Sequence, residues 1–297
     1  MRLSGLKTER QNRESANLER LSALQIVTLM NRQDAKVLRA IRQVLPAIAQ
    51  AIEVIRGRLE QGGRMIYVGS GTSGRIGALD ASECPPTFGT DPAMIQYLIA
   101  GGDLALTIAS EASEDSAVLG ASDMAARRPG KKDVVVGLSA SGQTPYTIAA
   151  LKYAAVKGTA TIAIACNSGS QLGRVSDVAI EAVVGPEILT GSTRLKAGTA
   201  QKLICNMLTT GALSRLGYVY GNLMVNVQLK NEKLIERGIS IVQRVAKVDR
   251  TVALNSLAVA DMKVPVALVM LCAKVDKREA ARRLKRSQNN TRKAIEA

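Results

Sequence analysis

Met65-Ile66-Tyr67-Val68 running into Gly69-Ser70-Gly71-Thr72-Ser73-Gly74, and Val134-Val135-Val136-Gly137-Leu138 running into Ser139-Ala140-Ser141-Gly142-Gln143-Thr144, are the stretches that decide the fold. Each is a short, uninterrupted apolar run that ends in a small, hydroxyl-bearing loop and gives way to a helical segment. A run of that kind reads as a strand buried on both faces. Three more short apolar runs follow: Met94 to Ile99, Thr161 to Ala165 and Val178 to Val183. Helical stretches lie between them. The alternation predicts a parallel sheet of five strands with helices on both sides, a three-layer α/β/α sandwich.

Working outward, apolar residues from Ser15 to about Arg58 (Leu18, Leu21, Leu24, Ile26, Leu29, then Val37 onward to Ile55) recur at three- and four-residue spacing and predict two amphipathic helices. A long helix is expected from about Thr193 to Leu216. Beyond Asn222 the strand signal fades and a small helical subdomain is expected, packed through Leu254, Leu257, Val266, Leu268 and Leu271. The resulting division is 1–58 for the N-terminal helices, 59–222 for the sheet domain and 223–297 for the C-terminal helices.

Composition narrows the chemistry. The 297 residues contain no histidine, and the four cysteines (Cys84, Cys166, Cys205, Cys272) are scattered without a Cys-x-x-Cys pair. Neither a zinc site nor histidine catalysis is expected, so proton transfer falls to carboxylates, lysines, tyrosines or cysteines. A net charge of +15 favours anionic partners. Much of the excess lies in one stretch that includes Lys274, Lys277, Arg278, Arg282, Arg283, Lys285, Arg286, Arg292 and Lys293. It reads chiefly as a solvated helix face, because aromatic residues make up only 2% of the chain and base-stacking platforms are not expected. The polar start (Leu6 to Asn12) predicts no signal peptide, and the apolar run Val264 to Ala273 falls far short of the ~20 residues a membrane helix needs. A cytoplasmic protein is expected.

Gly69 to Gly74 satisfies the G-x-G-x-x-G dinucleotide spacing, but the nearest acidic residue after the second strand, Asp103, comes late. No cofactor is expected. Two hydroxyl-rich loops at strand ends, each opening a helix, suit a phosphate monoester and sugar hydroxyls better than a dinucleotide. For one loop alone, helix capping would be explanation enough.

These loops resemble the two substrate loops of sugar isomerase (SIS) domains. The resemblance implies that Ser70, Thr72, Ser73, Ser139, Ser141 and Thr144 contact substrate; Ala140 stands where many such isomerases have glutamine. Leu79-Asp80-Ala81-Ser82-Glu83-Cys84-Pro85-Pro86-Thr87 and Glu111-Ala112-Ser113-Glu114-Asp115-Ser116 narrow the likeness to the N-acetylmuramic acid 6-phosphate etherase family. It continues through Gly191 to Lys202, Gly221 to Met224, Asn231 to Leu234 and the entry segment Thr8-Glu9-Arg10-Gln11-Asn12. The departures are Gln143, where an arginine often stands, and Asn289-Asn290, where a glycine is common.

That family implies a catalytic pair at Glu83 and Glu114, the first as proton donor, with Glu111 and Asp115 as competitors for the second role. Glu83 is expected in a loop closed by Pro85-Pro86. Cys84 reads as packing, since an ether has no carbonyl for a thiolate to attack. Arg194 and Lys196 either neutralise a substrate anion or cover a helix surface. The implied reaction opens the sugar ring, removes the C2 proton, expels lactate from C3 and adds water there. The implied assembly is a homodimer that takes a small phosphosugar, without membrane or nucleic acid. Two rival readings are a non-catalytic phosphosugar sensor and an aldose-ketose isomerase.

Overall fold

A computed structural model describes residues 5–108 and 111–297. The chain divides into two compact units, Met1–Ser82 with Ala93–Thr209, and Glu83–Pro92 with Thr210–Ala297.

The first unit is built on a parallel sheet of five strands: β1 (Met65–Gly69), β2 (Ile95–Ile99), β3 (Val134–Ser139), β4 (Ala160–Ala165) and β5 (Val178–Glu181), in the order β2-β1-β3-β4-β5. Every residue of β1, β3 and β4 is buried, as continuous apolar runs require. The edge strands depart from the expected two-sided burial: Gln96 and Tyr97 of β2 are half-buried and Ala179 of β5 is exposed, because each has a neighbour on one side only. Register is direct, Met65 pairing with Ile95 and with Val134.

Helix α2 (Gly71–Phe88) leads from β1 to β2, and α5 (Pro145–Val156) leads from β3 to β4. They cover opposite faces. Ile66 and Val68 pack with Tyr146, Ala150 and Leu151 of α5 and with Met124 of α4 (Ala117–Ala126), whereas a Cβ on Gly77 of α2 would come within 2.9 Å of Tyr67 Cβ. The chain leaves β1 toward β2 on one side and then places β3 on the other. The strand order therefore reverses between β1 and β3, where an open α/β sheet leaves a crevice at the strand C-termini.

Toward the N-terminus, the segment predicted as two helices forms one, α1 (Ala23–Glu60), preceded by 3-10 turns at Lys7–Glu9, Arg13–Ser15 and Leu18–Arg20. A capping box starts α1: Ser22 Oγ accepts from Gln25 N–H, and Gln25 Oε1 from Ser22 N–H. The polar stretch Asn31 to Asp34, which lies between the two apolar runs, continues the helix. Gln33 there is buried because it has a specific partner, described below. Pro46 is tolerated on an exposed face. Leu29, Val37, Ile41, Ile48, Ile55 and Leu59 form the buried stripe, while Leu24, Val27, Leu38 and Leu45 are exposed.

Glu83 lies within α2, not in a loop. Pro85 and Pro86 sit in the last turn of that helix, where proline's fixed φ near −65° is itself helical, and Gly89 N–H closes the end on Pro85 O at 2.9 Å. The dividing points between the units fall inside α2 and inside α7 (Lys196–Leu216).

The second unit is helical, with α8 (Glu232–Ala246), α9 (Arg250–Val259), α10 (Val264–Ala273), α11 (Lys277–Arg286) and α12 (Thr291–Glu296). Side chains of Asn231, Asp249, Asp276 and Asn290 cap α8, α9, α11 and α12. Its core gathers Ile239, Val242, Leu257, Val266, Leu268 and Leu284. Leu254, predicted to pack, is exposed, because Ala253 and Leu257 turn the buried face of α9 away from it. No single helix among the described residues is long and apolar enough to cross a membrane.

Candidate functional site

The crevice between β1 and β3 holds a cavity of about 400 Å³. Both predicted loops line it, through Ser70, Thr72 and Ser73 on one side and Ser139, Ala140, Ser141 and Thr144 on the other, joined by Glu9, Arg75, Glu111, Glu114, Gly191 and Thr193.

Close packing makes the loops possible. A Cβ on Gly74 would meet Ile99 Cγ1 at 2.6 Å and Gly69 O at 2.8 Å, so only glycine lets the start of α2 lie against the strand ends. Gly142 holds the left-handed region at φ +70°, and a Cβ there would lie 2.4 Å from Ser170 Cβ.

The second loop folds around Ser139. Its hydroxyl accepts from Gly142 N–H at 3.0 Å and lies 3.2 Å from Ser141 Oγ and 2.9 Å from Thr144 Oγ1. Ser141 Oγ accepts from Gln143 N–H at 3.1 Å. In the first loop, Ser73 Oγ donates to Gln201 Oε1 at 3.0 Å, whereas Ser70 Oγ is buried with no hydrogen-bond partner among the described residues. A hydroxyl of that kind on a cavity wall suits a ligand oxygen.

Glu114, in the single-turn helix α3 (Glu111–Glu114), accepts from Thr144 Oγ1 at 3.3 Å. Burial pushes its pKa above the ordinary carboxylate value. The Thr144 hydrogen bond works against that rise, and the negative charges of Asp115 and Glu111 add to it. Arg75 Nε donates to Ala105 O and Leu106 O, both at 3.0 Å, which ties the start of α2 to the turn at Asp103–Leu106 ahead of α3.

The structure thus brings together Ser70, Thr72, Ser73, Ser139, Ser141, Thr144 and Glu114 from the residues marked by sequence. Glu83 is exposed and belongs to the second unit. Arg194 is exposed in the turn before α7, next to Thr193. Lys196 is buried and does not line the cavity. Its Nζ donates to Pro186 O at 2.7 Å and to Gln33 Oε1 at 3.2 Å, and burial lowers its pKa. Beside it the fully buried Glu187 caps α7 by accepting from Lys196 N–H and Ala197 N–H at 3.0 and 2.8 Å, with its own pKa raised by burial. Glu9, Arg75, Gly191 and Thr193 are cavity residues that the sequence reading did not mark.

The chain is 52% identical over 277 residues to an N-acetylmuramic acid 6-phosphate etherase of Burkholderia lata, covering 93% of this chain and 91% of that one. It is 48% identical over 297 residues to one of Mycolicibacterium smegmatis, covering all of both. The chain belongs to the N-acetylmuramic acid 6-phosphate etherase family. The family model of the glucokinase regulatory protein N-terminal SIS domain matches residues 47–155. Among solved structures, a phosphoheptose isomerase from Francisella tularensis superposes with a TM-score of 0.52 at 21% identity, covering 65% of this chain and all of that one. It shares the fold. Both hydroxyl-rich loops and Glu114 thus lie at the strand ends of an SIS-type sheet.

Proposed function

We propose that the protein cleaves the D-lactyl ether of N-acetylmuramic acid 6-phosphate, as a carbon–oxygen lyase, giving N-acetylglucosamine 6-phosphate and D-lactate. The observation that carries this reading is the Thr144–Glu114 hydrogen bond, which holds a carboxyl of raised pKa in the cavity lined by both hydroxyl loops. Naming of full-length relatives as etherases supports the same choice. The cavity volume fits a phosphosugar, falling within the ~300–1,000 Å³ of small-molecule sites.

In the proposed reaction the phosphate takes hydrogen bonds from the hydroxyls of Ser70, Thr72 and Ser141, while Ser73, Ser139 and Thr144 shape the same pocket with their protons directed to Gln201, Thr144 and Glu114, and Arg75 meets the lactyl carboxylate. With the ring open, the C1 aldehyde acidifies the C2 proton. Glu114 removes it; the C3–O bond breaks and the ether oxygen leaves with lactate. Water adds at C3, and the proton returns to C2. The family resemblance assigns to Glu83 the proton given to the departing oxygen. Arg194 and Lys196 are set aside as direct contacts in favour of Arg75.

The working form is proposed to be a homodimer in the cytoplasm. Leu24, Leu38 and Leu45 recur every seventh or fourteenth residue on the exposed side of α1, with Val27 beside them, a spacing suited to helix pairing. Sedimentation over a range of concentrations checks the assembly. D-lactate release on incubation with N-acetylmuramic acid 6-phosphate tests the reaction. Tight binding without lactate identifies a sensor, and ketose formation without lactate an isomerase.

A further inference from the structure

The cavity contains a carboxylate with no part in the proposed reaction. Glu9 ends the 3-10 turn Lys7–Glu9 and lines the cavity beside Gly191, where a Cβ would lie 3.4 Å from Glu9 Oε2. Its place is set by Asn167, 158 residues away in sequence. The Asn167 amide Nδ2 donates to Thr8 Oγ1 at 3.1 Å and to Ala140 O at 3.1 Å, and Oδ1 accepts from Lys7 N–H at 2.8 Å. One side chain therefore grips both the N-terminal turn and the second hydroxyl loop. Further along, Asn12 Nδ2 donates to Pro186 O at 3.4 Å and Ser15 Oγ to Ile188 O at 2.6 Å, so the segment is fastened on both sides of Glu9. The fully buried Thr8 passes this order to Glu9 by donating its hydroxyl to Glu9 Oε1 at 3.4 Å.

We propose that Glu9 contacts substrate directly, its carboxylate accepting hydrogen bonds from hydroxyls of the bound sugar. An ionised carboxylate only accepts, and a phosphosugar offers hydroxyl donors alongside its anions. Charge-assisted bonds of this type are roughly twice as strong as neutral ones. The same charge repels the phosphate and the lactyl carboxylate, so Glu9 selects for the sugar's hydroxyl-bearing edge and against an inverted pose. A purely structural Glu9 would be turned toward a cation or backbone N–H groups. Among the described residues, its carboxylate is instead engaged by the Thr8 hydroxyl.

The inference rests on the phosphosugar reading of the cavity, and the experiment separates the two. Affinities for N-acetylglucosamine 6-phosphate and for inorganic phosphate are measured by calorimetry on the full-length protein, its Glu9→Ala and Glu9→Gln variants, and Thr8→Val. Glu9→Ala should bind the sugar phosphate about 10- to 100-fold more weakly, the range for loss of a hydrogen bond to a charged group. Binding of inorganic phosphate should stay the same or tighten, because that ligand lacks the sugar hydroxyls and the substitution removes a repelling charge. Glu9→Gln and Thr8→Val should fall in between, and kcat/KM on the etherase substrate should follow the same order. Unchanged sugar-phosphate affinity in Glu9→Ala overturns the inference, as does equal weakening toward both ligands. If Glu9→Ala does not fold, Glu9→Gln carries the same comparison at conserved size. Wild-type protein that binds inorganic phosphate but not the sugar phosphate overturns the phosphosugar reading itself.

Discussion

Replacing Thr144 with valine removes one hydroxyl and keeps the side-chain shape, which makes it a selective probe of Glu114. The hydrogen bond spans 3.3 Å, and the hydroxyl is shared with Ser139 at 2.9 Å. Its strength belongs near the bottom of the range for charged acceptors, about 1.5 kcal/mol, which is roughly a tenfold change in the ionisation equilibrium of the carboxyl. The bond lowers the Glu114 pKa against burial, so its loss raises that pKa further. A base acts only when ionised, and activity falls as pH drops through its pKa. The acid limb of kcat/KM for lactate release should therefore move to higher pH in Thr144→Val, leaving the rate on that limb about tenfold below wild type after each profile is scaled to its own plateau. Scaling removes any loss of substrate contact by the same hydroxyl. Thr144→Ser, which keeps the oxygen, should retain the wild-type limb. A Thr144→Val limb that coincides with wild type or moves down, or a Thr144→Ser limb that moves equally, would refute Glu114 as the base.

Glu83→Gln preserves size but cannot exchange a proton, so turnover should fall by at least ~10² with phosphosugar binding retained; kinetics and calorimetry on one preparation check both. In deuterated water the product should carry deuterium at C2, and in heavy-oxygen water label should enter C3 of the sugar and not lactate, as mass spectrometry can show. Gly142→Ala forces a side chain into the left-handed region and to 2.4 Å from Ser170 Cβ. Left-handed strain of about 1–2 kcal/mol and overpacking of about 1–3 kcal/mol should appear together as a lower urea midpoint. Asp80, Glu114 and Glu187 have pKa values raised by burial, and each contributes stability that is complete below the unfolded value and lost as pH rises through the folded one. Asp133, held below the ordinary range by Arg64 despite its burial, behaves oppositely and loses its contribution only in acid. The urea midpoint should accordingly rise as pH is lowered from neutrality toward the ordinary carboxylate range near ~4, then fall below it.

The strands were legible because continuous apolar runs leave little other choice, and the hydroxyl loops after β1 and β3 carried their own chemical signal. Other features depended on distant partners. Gln33 and Lys196 satisfy each other inside the first unit, so the polar stretch between the two apolar runs of α1 stays helical, and a lysine that looks like an anion binder is buried. The Pro85-Pro86 pair signals a stop, yet its backbone angle is helical and α2 runs to Phe88. Arg75 follows the first loop immediately and could have been marked from its position one helical turn beyond Gly71. Glu9 could not, since only the folded chain brings Asn167 to it.

The sheet also separates durability from chemistry. Strands β1, β3 and β4 are wholly buried, and apart from Ser139 the cavity residues lie beyond the strand ends. Thr72, Ser141 or Glu111 can therefore be altered without opening a void in the apolar interior. A scaffold arranged this way tolerates exchange of its reactive rim, and an experimenter can recast the cavity for another phosphosugar while the layers beneath keep the protein folded.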